Sequence, residues 1–315
     1  MFDFIQAVRE VLDESAVDSM RAWLSELPKG ASWYLVSDYV FDAEERHDTA
    51  AFVVLLSHDS LDNIFEYISR HAPVDIKSSR TAAGGLIGYL KSPVVFSSVF
   101  VLDDADSFFS TYISVANMLE GIDDLISFAG VVRERSQGAQ YFSDVITRLK
   151  SFSRKLKDKG NAKIARKLFL VSALASVVID YLDNLVEPDF ISWVSDRDAM
   201  LQQHGGVIWD IAILFFLSQK AQRMSRDSLI CRPQFLYVEP AVSGDNYFDP
   251  MIRMADYLAG AASGLDLCTF DYASEKFGFI GRECFEAAGN SILCTISWTG
   301  RGFLVRRSRA PELDI

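Results

Sequence analysis

The most informative part of the chain is QFLYVEPAVSGDNYFDPMIRMADYLAGAASG, residues 234–264. It begins with a short apolar and aromatic run, residues 235–238, whose length and residue types predict a buried β-strand. A polar turn follows. Asp249-Pro250 then predicts the start of a helix, because aspartate favours the N-cap and proline favours the first helical position. The stretch therefore predicts a strand, a turn and a helix in close succession.

The predicted helix carries an acidic side chain beside its apolar face. Ile252, Ala255, Leu258 and Ala259 recur at helical spacing, and Asp256 lies at the edge of the face that they form. A carboxylate on a half-buried helix is costly unless a metal ion or a basic partner compensates its charge. The alternative interpretation is that Asp256 points to solvent, and the spacing alone does not separate the two.

Length and composition indicate one large globular domain, or one domain that carries an insertion. The chain has 315 residues, of which 50% are hydrophobic and 23% are charged, so it can bury a sizeable core. The four cysteines form no CxxC pair and have no histidine at zinc-ligand spacing, so a reduced, cytoplasmic protein is expected. The N-terminal segment carries acids, unlike a signal peptide, and the longest apolar runs are too short to span a bilayer. No membrane association is expected.

The charges are unevenly distributed along the chain. The net charge of −12 argues against a protein that coats nucleic acid without specificity. Residues 148–167, however, hold nine lysines and arginines against one acid, Asp158. Such a run is either a solvated helix face or a contact for a phosphate backbone. On the second interpretation, the nucleic-acid-binding candidates are Arg148, Lys150, Arg154, Lys155, Lys157, Lys159, Lys163, Arg166 and Lys167.

The order of the predicted elements indicates an α/β protein. Amphipathic helices within residues 1–30 precede two strands, residues 32–41 and 51–57, that form an antiparallel hairpin. A helix at residues 60–71 leads to a third strand at residues 93–102. This alternation of strands and helices is typical of a sheet with helices packed on its faces.

The rest of the chain divides into three predicted parts. Residues 105–185 show a helical pattern throughout, with residues 160–161 as the best break, and predict an all-helical insertion. The insertion interrupts a core formed by residues 31–104 and 186–266. Residues 267–315 predict a β-rich extension, with short strand-like runs at 267–270, 277–280, 292–298 and 303–305.

Acidic residues follow several of the predicted strands. Asp38 lies near the end of the first strand, Asp196 and Asp198 follow the strand at residues 190–194, and Asp256 lies in the closing helix. Because strand ends and the loops after them converge on one edge of such a sheet, these carboxylates are expected to meet there. Carboxylates can hold two divalent ions about 4 Å apart for phosphodiester cleavage, although acids at strand ends also serve as turn and cap residues.

Four short motifs add a more specific signal. They are VSDYVF with Asp38, VDIKSSR with Asp75 and Lys77, ISWVSDRD with Asp196, and IRMADYLAGA with Asp256. Together with the element order, they resemble the RNase H-like superfamily, in particular an uncharacterised bacterial branch met in mobile and defence-associated genes. The resemblance covers residues 33–264 with the helical insertion inside it, and the last motif is its most specific part.

The resemblance implies an RNase H-like mixed sheet flanked by helices, with a large helical insertion. It also implies hydrolysis of RNA or DNA that depends on Mg²⁺ or Mn²⁺, in a context of antiviral defence. The implied metal ligands are Asp38, Asp75, Asp196 and Asp256, with Asp198 as a substitute or supporting acid and Lys77 facing the scissile phosphate.

The chain departs from the pattern of that branch at two positions. Asp38 is followed by Tyr39-Val40 where the branch has Glu-Ser-Gly, and Asp42 is an alternative counterpart. Asp75 stands where glutamate is usual, so the side chain that would bind the metal ion is shorter by one methylene group. Both departures keep a carboxylate in place but change how it would reach a metal ion.

Three functions from different classes are compatible with the sequence. The first is a metal-dependent nuclease whose basic run binds the nucleic-acid backbone. The second is a catalytically inactive RNase H-like scaffold that binds a protein or nucleic-acid partner, and the third is a nucleotide-cleaving enzyme that does not need the basic run. Whether the chain forms a homo-oligomer or joins a protein partner in a defence complex stays open.

Overall fold

The computed structural model describes residues 2–72, 81–82, 84–103, 110–135, 138–158, 160–204, 206–223, 233–240 and 246–309. The strands are β1 (Ser32–Val40), β2 (Asp48–Leu56), β3 (Val95–Leu102), β4 (Phe190–Ser195), β5 (Gln234–Val238), β6 (Ser291–Trp298) and β7 (Phe303–Arg307). The helices are α1 (Phe2–Ser15), α2 (Val17–Leu24), α3 (Leu61–His71), α4 (Gly84–Leu90), α5 (Val115–Arg135), α6 (Ala139–Lys157), α7 (Ala162–Val186), α8 (Ala199–His204), α9 (Val207–Arg223), α10 (Asp249–Ser263) and α11 (Glu275–Gly281), which a π-helical turn (Arg282–Glu286) continues.

The strands form one mixed sheet in the order β5-β4-β1-β2-β3-β6-β7. β2 pairs antiparallel with both β1 and β3, which confirms the predicted opening hairpin. β4 runs parallel to β1, β5 runs parallel to β4, and β6 runs parallel to β3. The carboxyl ends of β1, β4 and β5 therefore lie at one edge of the sheet, and the α/β class is confirmed.

Each face of the sheet buries its own hydrophobic core. Because side chains alternate along a strand, Leu35 of β1 packs on one face and Val36 on the other. The face of Leu35 is covered by α1, α2, α5, α6, α7, α8 and α9. The face of Val36 is covered by α3, α4, α10 and α11. β2 is buried along its whole length, because it lies in the middle of the sheet between these two layers.

The predicted helical segment consists of α5, α6 and α7 in the part of it that the structure describes. α7 begins directly after the predicted break, where the side-chain oxygen of Asn161 accepts a hydrogen bond from the Ile164 N–H at 3.2 Å. By length and composition α7 could cross a membrane, but 83% of its most apolar window is buried inside the fold. Its hydrophobic residues belong to the core of the Leu35 face.

The C-terminal segment differs in part from its prediction. β6 and β7 match the runs at residues 292–298 and 303–305, and they extend the central sheet at the β3 edge. The predictions of strands at residues 267–270 and 277–280 were wrong. The first is a turn, in which the Asp266 carboxylate accepts hydrogen bonds from two backbone N–H groups. The second lies in α11, because Phe277 and Ile280, three residues apart, bury one helix face.

Candidate functional site at the carboxyl edge of the sheet

Asp38 and Asp196 are brought together by the pairing of β1 with β4. The Asp196 N–H donates a hydrogen bond to the Ser37 carbonyl at 3.2 Å, so β1 and the segment that follows β4 stay adjacent just beyond the end of β4. Asp38 is 8% exposed and lies on the same face of β1 as Val36, two residues before it. Two of the predicted acids therefore meet at this edge, on the side of the sheet that α10 covers.

α10 contributes further charged side chains from one of its faces. Asp249, Arg253 and Asp256 are spaced i, i+4 and i+7, so they lie along one stripe of the helix. The opposite stripe is fully buried and includes Met254, Ala255 and Leu258. The stripe with Asp256 therefore borders the sheet edge at which Asp196 lies.

A cavity of about 550 Å³ lies between the end of β4 and the start of α10. Its charged lining consists of the carboxylates of Asp196, Asp249 and Asp256 and the guanidinium groups of Arg197 and Arg253. The remaining lining residues are Asn246, Tyr247, Pro250 and Ile252. The predicted acids Asp196 and Asp256 thus share one cavity, and Asp256 is half-buried there.

The crowding of carboxylates changes the acidity of Asp196. Burial raises the pKa of the Asp196 carboxyl, and the nearby negative charge of Asp249 raises it further. A hydrogen bond from the Arg197 N–H to its Oδ1, at 2.6 Å, works in the opposite direction. A carboxylate in such a place is costly for the folded protein, and a cation at this position would relieve the cost.

We expect Asp196→Asn to stabilise the protein without divalent ions at neutral pH. The carboxyl pKa is raised by folding, so ionisation of Asp196 costs stability as the pH rises through the raised value, and asparagine removes that cost. The expected gain in Tm is about 1–2 °C, and it should vanish below about pH 3, where the carboxyl is protonated in both states. Differential scanning calorimetry against pH checks this, with the exposed Asp124→Asn as control. A Tm that falls at pH 7 would contradict it.

Asp249 is the site residue that the sequence prediction missed. It was expected to serve as the helix N-cap, but the helix includes Asp249 and the N-cap is Phe248. The Asp249 carboxylate instead accepts a hydrogen bond from the Asn246 N–H at 3.0 Å. The seven-residue spacing from Asp256, two helical turns, was the signal that could have identified it.

Two alternative acids have structural partners. The Asp198 carboxylate accepts a hydrogen bond from the Met200 N–H at 2.8 Å and so caps α8. Asp42 pairs with Lys163 at 2.8 Å and with Lys167, which also lies over the Phe41 ring. Burial opposes ionisation of Asp42, but hydrogen bonds from the two lysines outweigh it and lower the pKa of its carboxyl.

The predicted residues Asp75 and Lys77 lie outside the described residues. Within the described ranges, no group of three or more His, Cys, Asp or Glu side chains is arranged to hold a metal ion. The oxygen donors of the cavity are carboxylates, which is the chemistry that Mg²⁺ and Mn²⁺ require. The donor type therefore fits a hard divalent ion, while the described acids do not form a closed ligand set by themselves.

Four residues of the basic run make contacts inside the protein. Arg148 binds the Asp210 carboxylate through two hydrogen bonds, with Nε–Oδ2 at 2.6 Å and Nη2–Oδ1 at 2.8 Å. Lys163 and Lys167 pair with Asp42, and the Arg166 Nε donates to the Ile113 carbonyl at 3.0 Å. These side chains hold α6 and α7 against the rest of the fold.

Four exposed bases of the run lie in α6, namely Lys150, Arg154, Lys155 and Lys157. Lys163 of α7 is also exposed, although it pairs with Asp42, and Lys159 lies outside the described residues. Phe152, in the same turn of α6, packs edge to face on His204 at the end of α8, with ring centroids 4.8 Å apart. α7 begins soon after this end of α6, and its Lys163 pairs with Asp42, two residues beyond the end of β1. This end of α6 is therefore near the edge that holds the cavity. The exposed bases therefore lie at the same end of the sheet as the acids, on its other face.

The cavity at this edge combines residues from two separate elements, the end of β4 and α10. β4 supplies Asp196 and Arg197 at its end, and α10 supplies the stripe that includes Arg253 and Asp256. No protein-family model matches the chain, and no curated protein or solved structure matches it either.

Proposed function

We propose that the protein is an RNase H-like, metal-dependent nuclease that hydrolyses phosphodiester bonds in RNA or DNA. The observation that carries this proposal is the cavity in which Asp196, Asp249 and Asp256 lie together at the carboxyl edge of parallel strands. Ligand sites of open α/β sheets lie outside the carboxyl ends of their strands. Antiviral defence in bacteria is the biological context that the resemblance suggests.

The arrangement of the sheet supports the RNase H-like part of the proposal. The three opening strands are antiparallel neighbours, and β4 and β5 continue the sheet in parallel from β1. The helices α5, α6 and α7 enter between β3 and β4, where the resemblance requires a variable helical region. α10, which carries the most specific motif, follows β5 and packs on the sheet beside β1.

Asp38, Asp196, Asp249 and Asp256 are the residues that would hold a divalent ion in this nuclease. A bound Mg²⁺ or Mn²⁺ supplies electrostatic stabilisation of the attacking and leaving oxygens of the phosphodiester. The residues of the chain itself bind the ion and orient the substrate. The two arginines that line the cavity, Arg197 and Arg253, can hold the phosphate group by charge-assisted hydrogen bonds.

The exposed bases of α6 support a polymeric substrate. Lys150, Arg154, Lys155 and Lys157 project from a helix whose end lies near the cavity edge. Lysine and arginine contacts to successive phosphates supply most nonspecific affinity for nucleic acids. A protein with net charge −12 needs such a local patch to bring a polyanion to an acidic site.

The second candidate is an inactive scaffold that keeps the fold and binds a partner. It is favoured by the lack, among the residues that the structure describes, of a group of three side chains arranged as metal ligands. It is also favoured by Tyr39, which follows Asp38 where the related branch has glutamate. The Tyr39 hydroxyl joins a network with Ser37 and Ser195 on the opposite face of the sheet, and its ring stacks on Phe41.

Cleavage of labelled nucleic acids tests the proposal. The full chain is incubated with single-stranded and double-stranded RNA and DNA in Mg²⁺, in Mn²⁺ and in a chelator, and shortened products are expected only with a divalent ion. Reversing the charges of Lys150, Arg154, Lys155 and Lys157 should then reduce cleavage of polymers, whereas a nucleotide-cleaving enzyme would keep its activity. No cleavage of any polymer with either ion would contradict the nuclease and favour the scaffold.

A further inference from the structure

Tyr247 lies at the rim of the cavity with most of its side chain exposed. It is 59% exposed, which is the largest value for any exposed large hydrophobic side chain in the described ranges. It also lines the cavity that contains Arg197, Arg253 and the three aspartates. An aromatic ring left open to solvent beside a charged cavity is a surface on which a planar ligand group can stack.

The ring of Tyr247 is held in place by its neighbours. It makes edge-to-face contacts with Phe65 of α3, at a centroid distance of 5.0 Å, and with Phe248, at 5.1 Å. Its hydroxyl lies 3.5 Å from the Asp62 carboxylate, to which it can donate. Because these contacts orient the ring before any ligand arrives, stacking on it would cost little conformational entropy.

The arginines of the cavity can bind the phosphate backbone of a nucleic acid whose base stacks on Tyr247. The Arg253 Nη1 donates to the Ala72 carbonyl at 3.3 Å, which holds the guanidinium in place and uses one of its five N–H groups. Arg197 lies across the same cavity. An aromatic platform beside arginines in a groove is the combination by which proteins bind single-stranded nucleic acids.

We propose that Tyr247 stacks on an unpaired base, so that the cavity takes single-stranded nucleic acid in preference to duplex. This inference rests on the proposed function, because it concerns the substrate of the same site. In a duplex each base face is already covered by its neighbours, and exposing one costs a few kcal/mol of stacking and pairing. A single strand offers its base faces without that cost, so only the single strand gains from the Tyr247 ring.

Fluorescence anisotropy with two labelled probes, an oligothymidylate and a DNA hairpin whose strands are joined by a non-nucleotide linker, tests this inference. The titrations contain a chelator, so that cleavage cannot occur. Tyr247→Ala is expected to weaken oligothymidylate binding about tenfold and to leave hairpin binding unchanged. Tyr247→Phe keeps the ring and should bind as the wild type does. Tyr67→Ala, which removes a tyrosine that is 41% exposed on α3 and does not line the cavity, is the matched control.

Several results would overturn the inference. The first two are no binding of oligothymidylate by the wild type, and oligothymidylate binding by Tyr247→Ala that equals that of the wild type. The other two are a loss of oligothymidylate affinity in Tyr67→Ala as large as that in Tyr247→Ala, and binding of the hairpin as tight as that of the single strand. Thermal unfolding of each variant identifies a loss of binding that comes from misfolding. If Tyr247→Ala misfolds, Tyr247→Leu, which keeps an apolar side chain without the ring, decides the role of the ring.

The same variants separate this inference from the proposed nuclease function. Binding that depends on Tyr247, without cleavage in any divalent ion, would support the single-strand site and contradict the nuclease. Divalent-dependent cleavage by the wild type, with single-strand binding that does not depend on Tyr247, would support the nuclease and overturn the inference.

Discussion

Asp256→Asn is expected to lower divalent-dependent cleavage by about a hundredfold or more, while the Tm measured without divalent ions stays near the wild-type value. Asparagine has nearly the shape of aspartate, but it removes the negative charge that would attract the ion. Asp256 is half-buried on the stripe of α10 that faces Asp196 in the cavity. The other two carboxylates and both guanidinium groups of the cavity stay in place, so the substitution is not expected to unfold the free protein.

A control is needed because any substitution could lower activity by unfolding the protein. Asp124→Asn makes the same chemical change on an exposed position of α5, on the other face of the sheet, and should cleave as the wild type does. Initial cleavage rates in Mn²⁺ and calorimetric Tm values are measured for both variants. A folded Asp256→Asn protein with the wild-type rate would exclude Asp256 from the active site.

Arg148→Met is expected to reduce the free energy of unfolding by about 3 kcal/mol. The Asp210 side chain is fully buried, at 0% exposure, and its carboxylate receives two hydrogen bonds from Arg148. The hydrogen bonds to Asp210 raise the pKa of the Arg148 guanidinium. Methionine keeps much of the apolar volume of arginine but leaves a buried carboxylate without its cation, which is the costly way to break a buried pair.

Lys150→Met is the matched control for this prediction. Lys150 lies two residues further along α6 and is exposed, so its replacement should change the unfolding free energy by less than about 0.5 kcal/mol. Urea unfolding followed by circular dichroism measures both variants. Equal stability of the two would show that the Arg148–Asp210 pair contributes little and would return Arg148 to the set of exposed nucleic-acid contacts.

The fold class was predictable because its signals are local. The strands that became β1 and β2 are rich in β-branched and aromatic residues, and the break before α7 was visible as Gly160-Asn161. The run at residues 277–280 was misassigned because a four-residue run is too short to distinguish a strand from a buried helix turn. Local pattern alone also did not predict that β6 and β7 join the central sheet, since that pairing joins residues far apart in sequence.

The candidate site was predictable only in part, for a related reason. Asp196 and Asp256 were found because each follows or lies in a recognisable element, and the sheet brings them to one cavity. Asp249 was missed because its position directly before proline indicated a helix N-cap, and that structural role accounted for an aspartate there without a functional one. The basic run was harder to interpret, because whether a lysine or arginine is available depends on distant acids. Asp42 and Asp210, far from the run in sequence, pair with its members.

Titration of Mn²⁺ into the wild-type protein and into Asp256→Asn by isothermal calorimetry tests the proposed ion site. We propose that the carboxylates at the edge of β1 and β4, together with those of α10, form this site. The proposal predicts saturable binding to the wild type that is lost or at least about tenfold weaker in the variant. Saturable binding of equal affinity in both proteins, or none in the wild type, would contradict it.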